Sequence, residues 1–509
     1  MMHGREQKKW LCLWLAIILA LPSVGFFRIG AFTAELPVPA VHTVDIGIRP
    51  TAYRELISNE AEPRFSVQMS VDEGPYFRGQ IKLRGNASKG VGLLMPTKRV
   101  PIQLRFEQDN PFRESLNNSC LKLINSFTPF RLLAEYMALD LYSFADIPAP
   151  AHEFVFLRYN HVDFGLYLAV EDVNEEFLAK KFPDGKGSLF KESQKDFSHD
   201  YSISNWFGAL NMVVNRGEDR IMELLDALDR GEGYEALLDV DEFLRFFACL
   251  AVWGANSSFL TEQNNFFLYD TGEKFILLPW DNSDAFGAFP SMDGIDHYRL
   301  NQWEDIDYPP PVFTLLMEDE SNREKYHAYI RELNEAFLSP ERLEPYFNEL
   351  AALVQPYLER DPTILINPPY TVPVQPGSGF GTVGGLLETL GYIYQNLFDQ
   401  LDGKTDCFYY DPVYFGSDEY PEGVIMQDDM EGILGYYIKH TPNYDPEITD
   451  KICKSYYAWG RQTGRFLENE ENPVELVAAA IVFAVSFLVI AALTRLKSRK
   501  TIPKGEQDR

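Results

Sequence analysis

The sequence predicts an α+β domain, because strand-like and helix-like hydrophobic patterns alternate irregularly from Glu35 to about Gly403. Two observations carry that prediction. Ser66–Arg84 and Val100–Phe106 alternate apolar and polar residues as half-buried strands do. In the second of these, Ile102, Leu104 and Phe106 share one side, and Gln103 and Arg105 share the other. Phe130–Phe144 instead repeats at helical spacing, with Leu133, Tyr136, Met137 and Leu141 on one face.

Further along, Glu153–Leu157 and Phe164–Val170 read as two strands around a polar turn at Tyr159–Asp163. A helix starts near Asn174, with Glu175 and Glu176 in its first turn, where the helix dipole favours negative charge. Asp239 or Asp241 caps a longer helix. It carries Phe243, Leu244, Phe246, Phe247, Leu250 and Trp253, is apolar nearly all round, and so belongs in the core. Ile366–Gly385 is dense in proline and glycine and reads as irregular, and a helix follows over Leu386–Leu401. Asp406–Glu471 is acidic and rich in tyrosine and reads as an extension beside the membrane.

With 509 residues, 46% of them hydrophobic, the chain can bury a sizeable core. A formal net charge of −29 argues against duplex nucleic acid as a general partner, because phosphates would meet a repulsive field. The five cysteines form no CxxC pair. Cys407 and Cys453 flank the tyrosine-rich stretch, as a disulfide or as buried free thiols.

Val477–Thr494 contains no charged residue, and with Leu476 added it is long enough to cross most of a bilayer core. Arg495, Lys497, Arg499 and Lys500 follow it, and Glu468, Glu470, Glu471 and Glu475 precede it. The positive-inside rule then puts the tail in the cytoplasm and the main domain outside it, with the lipid bilayer as a partner. Trp10–Phe27, after Arg5, Lys8 and Lys9, has the order of a secretory signal or a retained N-terminal anchor. The chain thus divides into 1–34 (signal or anchor), 43–403 (main domain), 404–475 (acidic region), 476–494 (membrane helix) and 495–509 (basic tail).

Asn264–Gly287 is the most informative segment for chemistry. Phe266–Tyr269 and Lys274–Leu278 read as a hairpin whose turn is Asp270–Glu273. Closing it returns Asp281 towards Asn265, with Asp284 close behind. Hard cations such as magnesium favour oxygen ligands of this kind, usually a few side chains plus phosphate oxygens.

Pro279–Trp280–Asp281 with Phe286–Gly287 resembles the PWDxDxxFG pattern of the spore coat protein H (CotH) kinases, with Ser283 in place of the second Asp and Asp284 one position later. Asn265–Tyr269 is similar to that family's NYYLY strand, and Leu83–Asn86 to its RGN segment. Lys98–Arg99 resembles its paired basic residues, and Arg131 an arginine that opens a helix in a stretch ending at Ile147–Pro150. Gly165–Glu171 resembles GLYLLVE, and Gly187–Lys191 resembles GxLYK. The resemblance spans roughly Thr43 to Gly403.

It implies an atypical, protein-kinase-like fold, secreted or membrane-bound, that binds ATP with Mg2+ and phosphorylates serine on an envelope or surface protein. By this resemblance Asn265, Asp281 and Asp284 are metal ligands. Lys98, Arg99, Arg105, Arg131 and Lys191 are candidate phosphate contacts, and Glu171 orients one of these cations. One departure bears on activity. The family's catalytic Asp is expected just before the NYYLY-like strand, where this chain reads Gly254–Phe259, with Asn256 or Ser257 at the position. Neither accepts a proton at neutral pH as aspartate does. Glu262 lies nearby in sequence. The catalytic candidates are therefore Asn256 and Asp281. Three readings follow: an active kinase, a nucleotide-binding pseudokinase, and a scaffold or adhesion domain that uses no nucleotide.

Overall fold

The computed structural model describes residues 40–466, except 59–61, 86, 107–111, 113–115, 117, 127–128, 193–209, 217–219, 255–257, 261–263, 284, 288–296, 299–310, 366–382, 405–407, 410–440 and 442. Among the described residues no helix is long and apolar enough to cross a membrane. The apolar runs 10–27 and 476–494 lie outside them.

The first part is a closed barrel. Its strands are β1 (Val41–Gly47), β2 (Phe65–Val71), β3 (Phe77–Leu83), β4 (Ile102–Phe106), β5 (Cys120–Ile124), β6 (His152–Tyr159) and β7 (Val162–Glu171), in the order β1-β2-β3-β4-β5-β7-β6. Closure comes from parallel pairing of β1 with β6, and every other pairing is antiparallel. Three helices interrupt these strands: α1 (Pro50–Leu56), α2 (Ala87–Leu94) and α3 (Pro129–Phe144). The β6–β7 turn is two residues, Asn160 and His161, both at positive φ (53° and 65°), as a tight turn matched to the strand twist requires.

Alternation within the strands decides which core each side chain joins. Ile102, Leu104, Leu121, Leu123, Val155, Leu157 and Tyr167 fill the barrel. Phe154, Phe156, Leu166 and Leu168 point outwards into a second, larger core. Strands β6 and β7 are thus buried on both faces, which explains their unbroken apolar runs.

The larger core is shared by α3, α5 (Ile221–Arg230), α6 (Val240–Trp253), α7 (Pro311–Met317), α8 (Glu320–Phe337), α9 (Pro340–Leu358) and α10 (Val383–Leu401). Asp239 caps α6 by accepting from the Glu242 N–H, and Gly254 ends it in the left-handed conformation. Helix α4 (Glu175–Lys181) begins at Asn174, whose side chain accepts from the N–H groups of Glu176 and Phe177. A second sheet contains β8 (Leu189–Glu192), β9 (Leu210–Val214), β10 (Phe266–Asp270) and β11 (Phe275–Pro279), in the order β11-β10-β8-β9. Phe190, Phe266, Leu268, Phe275 and Leu277 face the larger core. Leu189, Phe267, Tyr269, Ile276 and Leu278 face a smaller one with α4. The short strands β12 (His297–Tyr298) and β13 (Phe408–Tyr409) pair with each other.

The acidic region beyond residue 403 contributes α11 (Ile448–Thr463), which joins the barrel core through Ile448, Ile452 and Cys453. Gly47 leaves room for Trp459 of this helix, since a Cβ there would lie 1.9 Å from the indole ring. Trp459 Nε1 donates to the Tyr76 hydroxyl at 3.0 Å, and that hydroxyl donates to Asp45. Cys453 is a buried free thiol, while Cys407 lies outside the described residues.

One buried ion pair ties barrel to helices. Arg99 and Asp361 are both fully buried and meet at 3.0 Å. Arg99 Nε donates to the carbonyls of Asn125 and Ser126, Nη1 donates to Thr363 Oγ1, and Nη2 donates to the Leu166 carbonyl. Asp361 accepts from the N–H groups of Leu166, Thr363 and Ile364. Gly165 is required beside them, because a Cβ at that position would stand 2.5 Å from both charged groups. Removing one partner strands the other charge without water. Asp361→Ala is therefore expected to lower the unfolding free energy by about 3–5 kcal/mol, and Arg99→Met with Asp361→Leu to recover part of the loss. Urea unfolding of the three proteins reads this; a loss below about 1 kcal/mol for Asp361→Ala would mean the pair is dispensable.

Candidate functional site

The β10–β11 hairpin forms as its sequence pattern requires, with Phe266 paired to Pro279 and Asp270 to Phe275. Its open end therefore carries Asn265 on one strand and Trp280 and Asp281 on the other. Asn265 and Asp281 both adopt left-handed backbone, with φ of 60° and 50°. Asn and Asp enter that region more readily than other non-glycine residues, and such positions recur at functional sites. Strand β8 lies beside β10 with Lys191 opposite Phe267, so Lys191 and Glu192 end at the same edge of the sheet.

Helix α3 holds the loop after β11. Arg131 Nε donates to the Ser283 carbonyl at 3.2 Å, and its Nη2 donates to Ser283 Oγ at 3.1 Å. Ser283 Oγ donates to Asp281 Oδ1 at 3.0 Å. Buried Glu135 accepts from the Asn282 N–H at 3.3 Å. The Asp281 side chain remains exposed.

The barrel meets this edge through Lys122, on the outward face of β5. Its ammonium pairs with Asp172 at 2.6 Å and stands 3.3 Å from the centre of the Trp280 ring. Lys191 lies 5.0 Å from the same ring. Burial pushes Lys122 down to about 7; Asp172 opposes that shift, and Arg84 and Lys191 add to it. Burial also raises Glu192 to about 6, with Lys191 acting against the shift and Asp281 adding to it. Among the described residues no three His, Cys, Asp or Glu side chains gather closely enough to hold a metal ion. A hard cation at Asp281 would therefore take amide, water or phosphate oxygens as well.

Residues 82–371, more than half of the chain, match the family model for CotH kinase protein. The chain belongs to that family. It is also similar to the inner spore coat protein H of Bacillus subtilis (strain 168), 22% identical over 284 residues, which cover 52% of this chain and 75% of the relative.

Within this CotH-family chain the site residues expected from sequence separate into distinct groups. The strand register puts Asn265, Asp281 and Lys191 at the same end of three adjacent strands. Arg131 joins them indirectly, gripping Ser283. Arg99 is no phosphate contact, since its guanidinium is enclosed with Asp361 beneath the surface. Lys98 serves α2, its ammonium donating to the Leu93 carbonyl at 2.5 Å from a backbone at φ 55°. Glu171 is fully buried in a pair with Lys180 and also accepts from Asn118 and the Ala151 N–H, so it orients none of the expected cations. Arg105 is exposed on the outer face of the barrel, opposite Cys120 and two residues along β4 from Gln103, the partner of Lys122. Asn256 and Asp284 lie outside the described residues.

Lys122 and Glu192 were not singled out from sequence. A signal existed for the first: a lysine inside the short apolar strand Cys120–Ile124 must find a partner, because lysine is almost never fully buried alone. The folded Lys122 pKa lies below its ordinary value near 10.5. The unfolded chain thus holds the extra proton between about pH 7 and 10.5, and this group's contribution to stability rises with pH across that window. Lys122→Met removes that slope. The stability of wild type relative to the variant is expected to rise by on the order of 2 kcal/mol from pH 7 to pH 9.5 in urea unfolding. A difference that stays constant between those pH values would show an unperturbed lysine.

Proposed function

We propose that this chain is an atypical kinase that binds ATP with Mg2+ at the edge of the second sheet and transfers phosphate to serine on an envelope or surface protein. The observation that carries the reading is the register that puts Asn265 and Asp281 at one hairpin end, next to Trp280, whose ring meets Lys122 and Lys191. Phosphoryl transfer depends mainly on positioning and charge neutralisation, so oxygen ligands next to cations are the parts it needs. Bound Mg2+ would neutralise phosphate charge and orient it. Asp281 offers an exposed carboxylate for that ion, fixed in direction by Ser283. Arg131 acts one step further out, fixing Ser283 and so the loop. Lys191 carries positive charge on the strand beside Asn265.

A catalytically impaired nucleotide binder is the second reading, favoured by the stretch Gly254–Phe259, which contains no acidic residue. Loss of a general base typically costs on the order of 10² to 10⁴ in rate while leaving binding possible. We also propose a single-pass anchor at 476–494 that holds the kinase domain outside the cytoplasm, supported by the basic residues that follow that run.

Thermal unfolding in ATP, with and without Mg2+, tests the binding step. At 100 times Kd the ligand should add about 2.7 kcal/mol, and Asp281→Ala should abolish the added stability. No shift at millimolar ATP sinks both nucleotide readings. A shift without labelled phosphate reaching any serine acceptor leaves the impaired one.

A further inference from the structure

We propose that Glu192 is an oxygen ligand of the divalent cation at Asp281 and Asn265, supplied by the neighbouring strand; this rests on the nucleotide–metal reading above. The register brings it there. Lys191 pairs with Phe267 and Phe266 with Pro279, so Glu192, Asn265 and Asp281 end at the same edge of three adjacent strands. Glu192 follows Phe190 by two residues and so shares the face on which Phe190 and Phe266 meet the larger core.

Its side chain is only 9% exposed, and Oε2 has no hydrogen-bond partner among the described residues. The other oxygen meets Lys191 loosely, at 3.6 Å. A buried carboxylate oxygen without a donor is costly unless something positive reaches it. Lys191 cannot serve both oxygens at that distance, and it is also engaged by the rings of Phe267 and Trp280. Asp281 is among the charges that act on Glu192, and two ionised carboxylates that feel one another are stabilised when a cation neutralises them. Position 283, two residues beyond Asp281, carries a hydroxyl occupied with Asp281 and Arg131, so it adds no charge. Glu192 supplies the second negative charge that a hard divalent ion favours.

The arrangement trades stability of the empty protein for affinity. Glu192→Gln keeps the shape and removes the charge. In the full-length protein stripped with chelator, this variant should melt higher than wild type. Titrated with Mn2+ alone and followed by electron paramagnetic resonance, it should bind at least tenfold more weakly, and its Mn2+-induced rise in melting temperature should shrink accordingly. Asp281→Asn is the reference for loss of the ligand that the nucleotide reading assigns, and Glu192→Asp, which retains the charge, should restore part of the affinity.

Mn2+ affinity unchanged in Glu192→Gln but reduced in Asp281→Asn overturns the role of Glu192 and leaves the nucleotide reading intact. Absence of Mn2+ binding to wild type, with or without ATP, overturns both. If Glu192→Gln fails to fold, Glu192→Asp and Lys191→Met decide: the proposal fails if Glu192→Asp matches Asp281→Asn in affinity while Lys191→Met loses as much.

Discussion

The buried contact between Arg99 and Asp361 is the constraint on which the arrangement of the two halves depends. A guanidinium fully out of water needs partners for its donors, and every nitrogen of this one donates, to carbonyls from two separate stretches and to a hydroxyl and a carboxylate from a third. Those partners follow β5, lie within β7 and follow α9, so the barrel and the helical part cannot shift independently without breaking charged hydrogen bonds. The same pair explains a glycine. Gly165 begins a segment that resembles the family pattern, and its place is set by the lack of room for a Cβ against the two charges.

With the barrel thus registered, its outward face can meet the second sheet. Lys122 and Trp280 make that meeting, the lysine head group lying over the aromatic face in a largely desolvated setting, where the protonated form gains about 2 kcal/mol from such a contact. On the other side, α3 reaches the loop after β11 through Arg131 and Glu135. Asp281 is therefore held from both directions while its own carboxylate stays exposed. Rigid support beneath an accessible ligand is the combination that binding a charged group requires, because ordering is completed before the ligand arrives.

Helix α11 adds a different lesson. Sequence composition marked its region only as acidic and tyrosine-rich, yet Ile448, Ile452 and Cys453 enter the barrel core and Trp459 lies against Gly47. Its apolar positions are spaced for a helix face, but they are diluted by the charged and tyrosine residues around them. What they pack against lies far earlier in the chain, with Asn160 bonded to the Ile452 carbonyl across 292 positions, beyond the reach of any local pattern.

The sequence alone determined the elements whose signals are local. The β10–β11 hairpin, the β6–β7 pair, α3, α4 with its Asn174 cap and α6 with its Asp239 cap all follow from alternation, helical spacing and capping chemistry. It also determined the family, because the ordered motifs are local too. Tertiary structure alone decided which charged residue serves which purpose. Lys98 and Arg99 are adjacent, yet one closes a helix and the other fastens the molecule's halves together. Glu171 and Asp172 are also adjacent, and each takes a different lysine. A charge finds its partner across the fold, through distance and exclusion of water, and neither quantity is written in the spacing of residues along the chain.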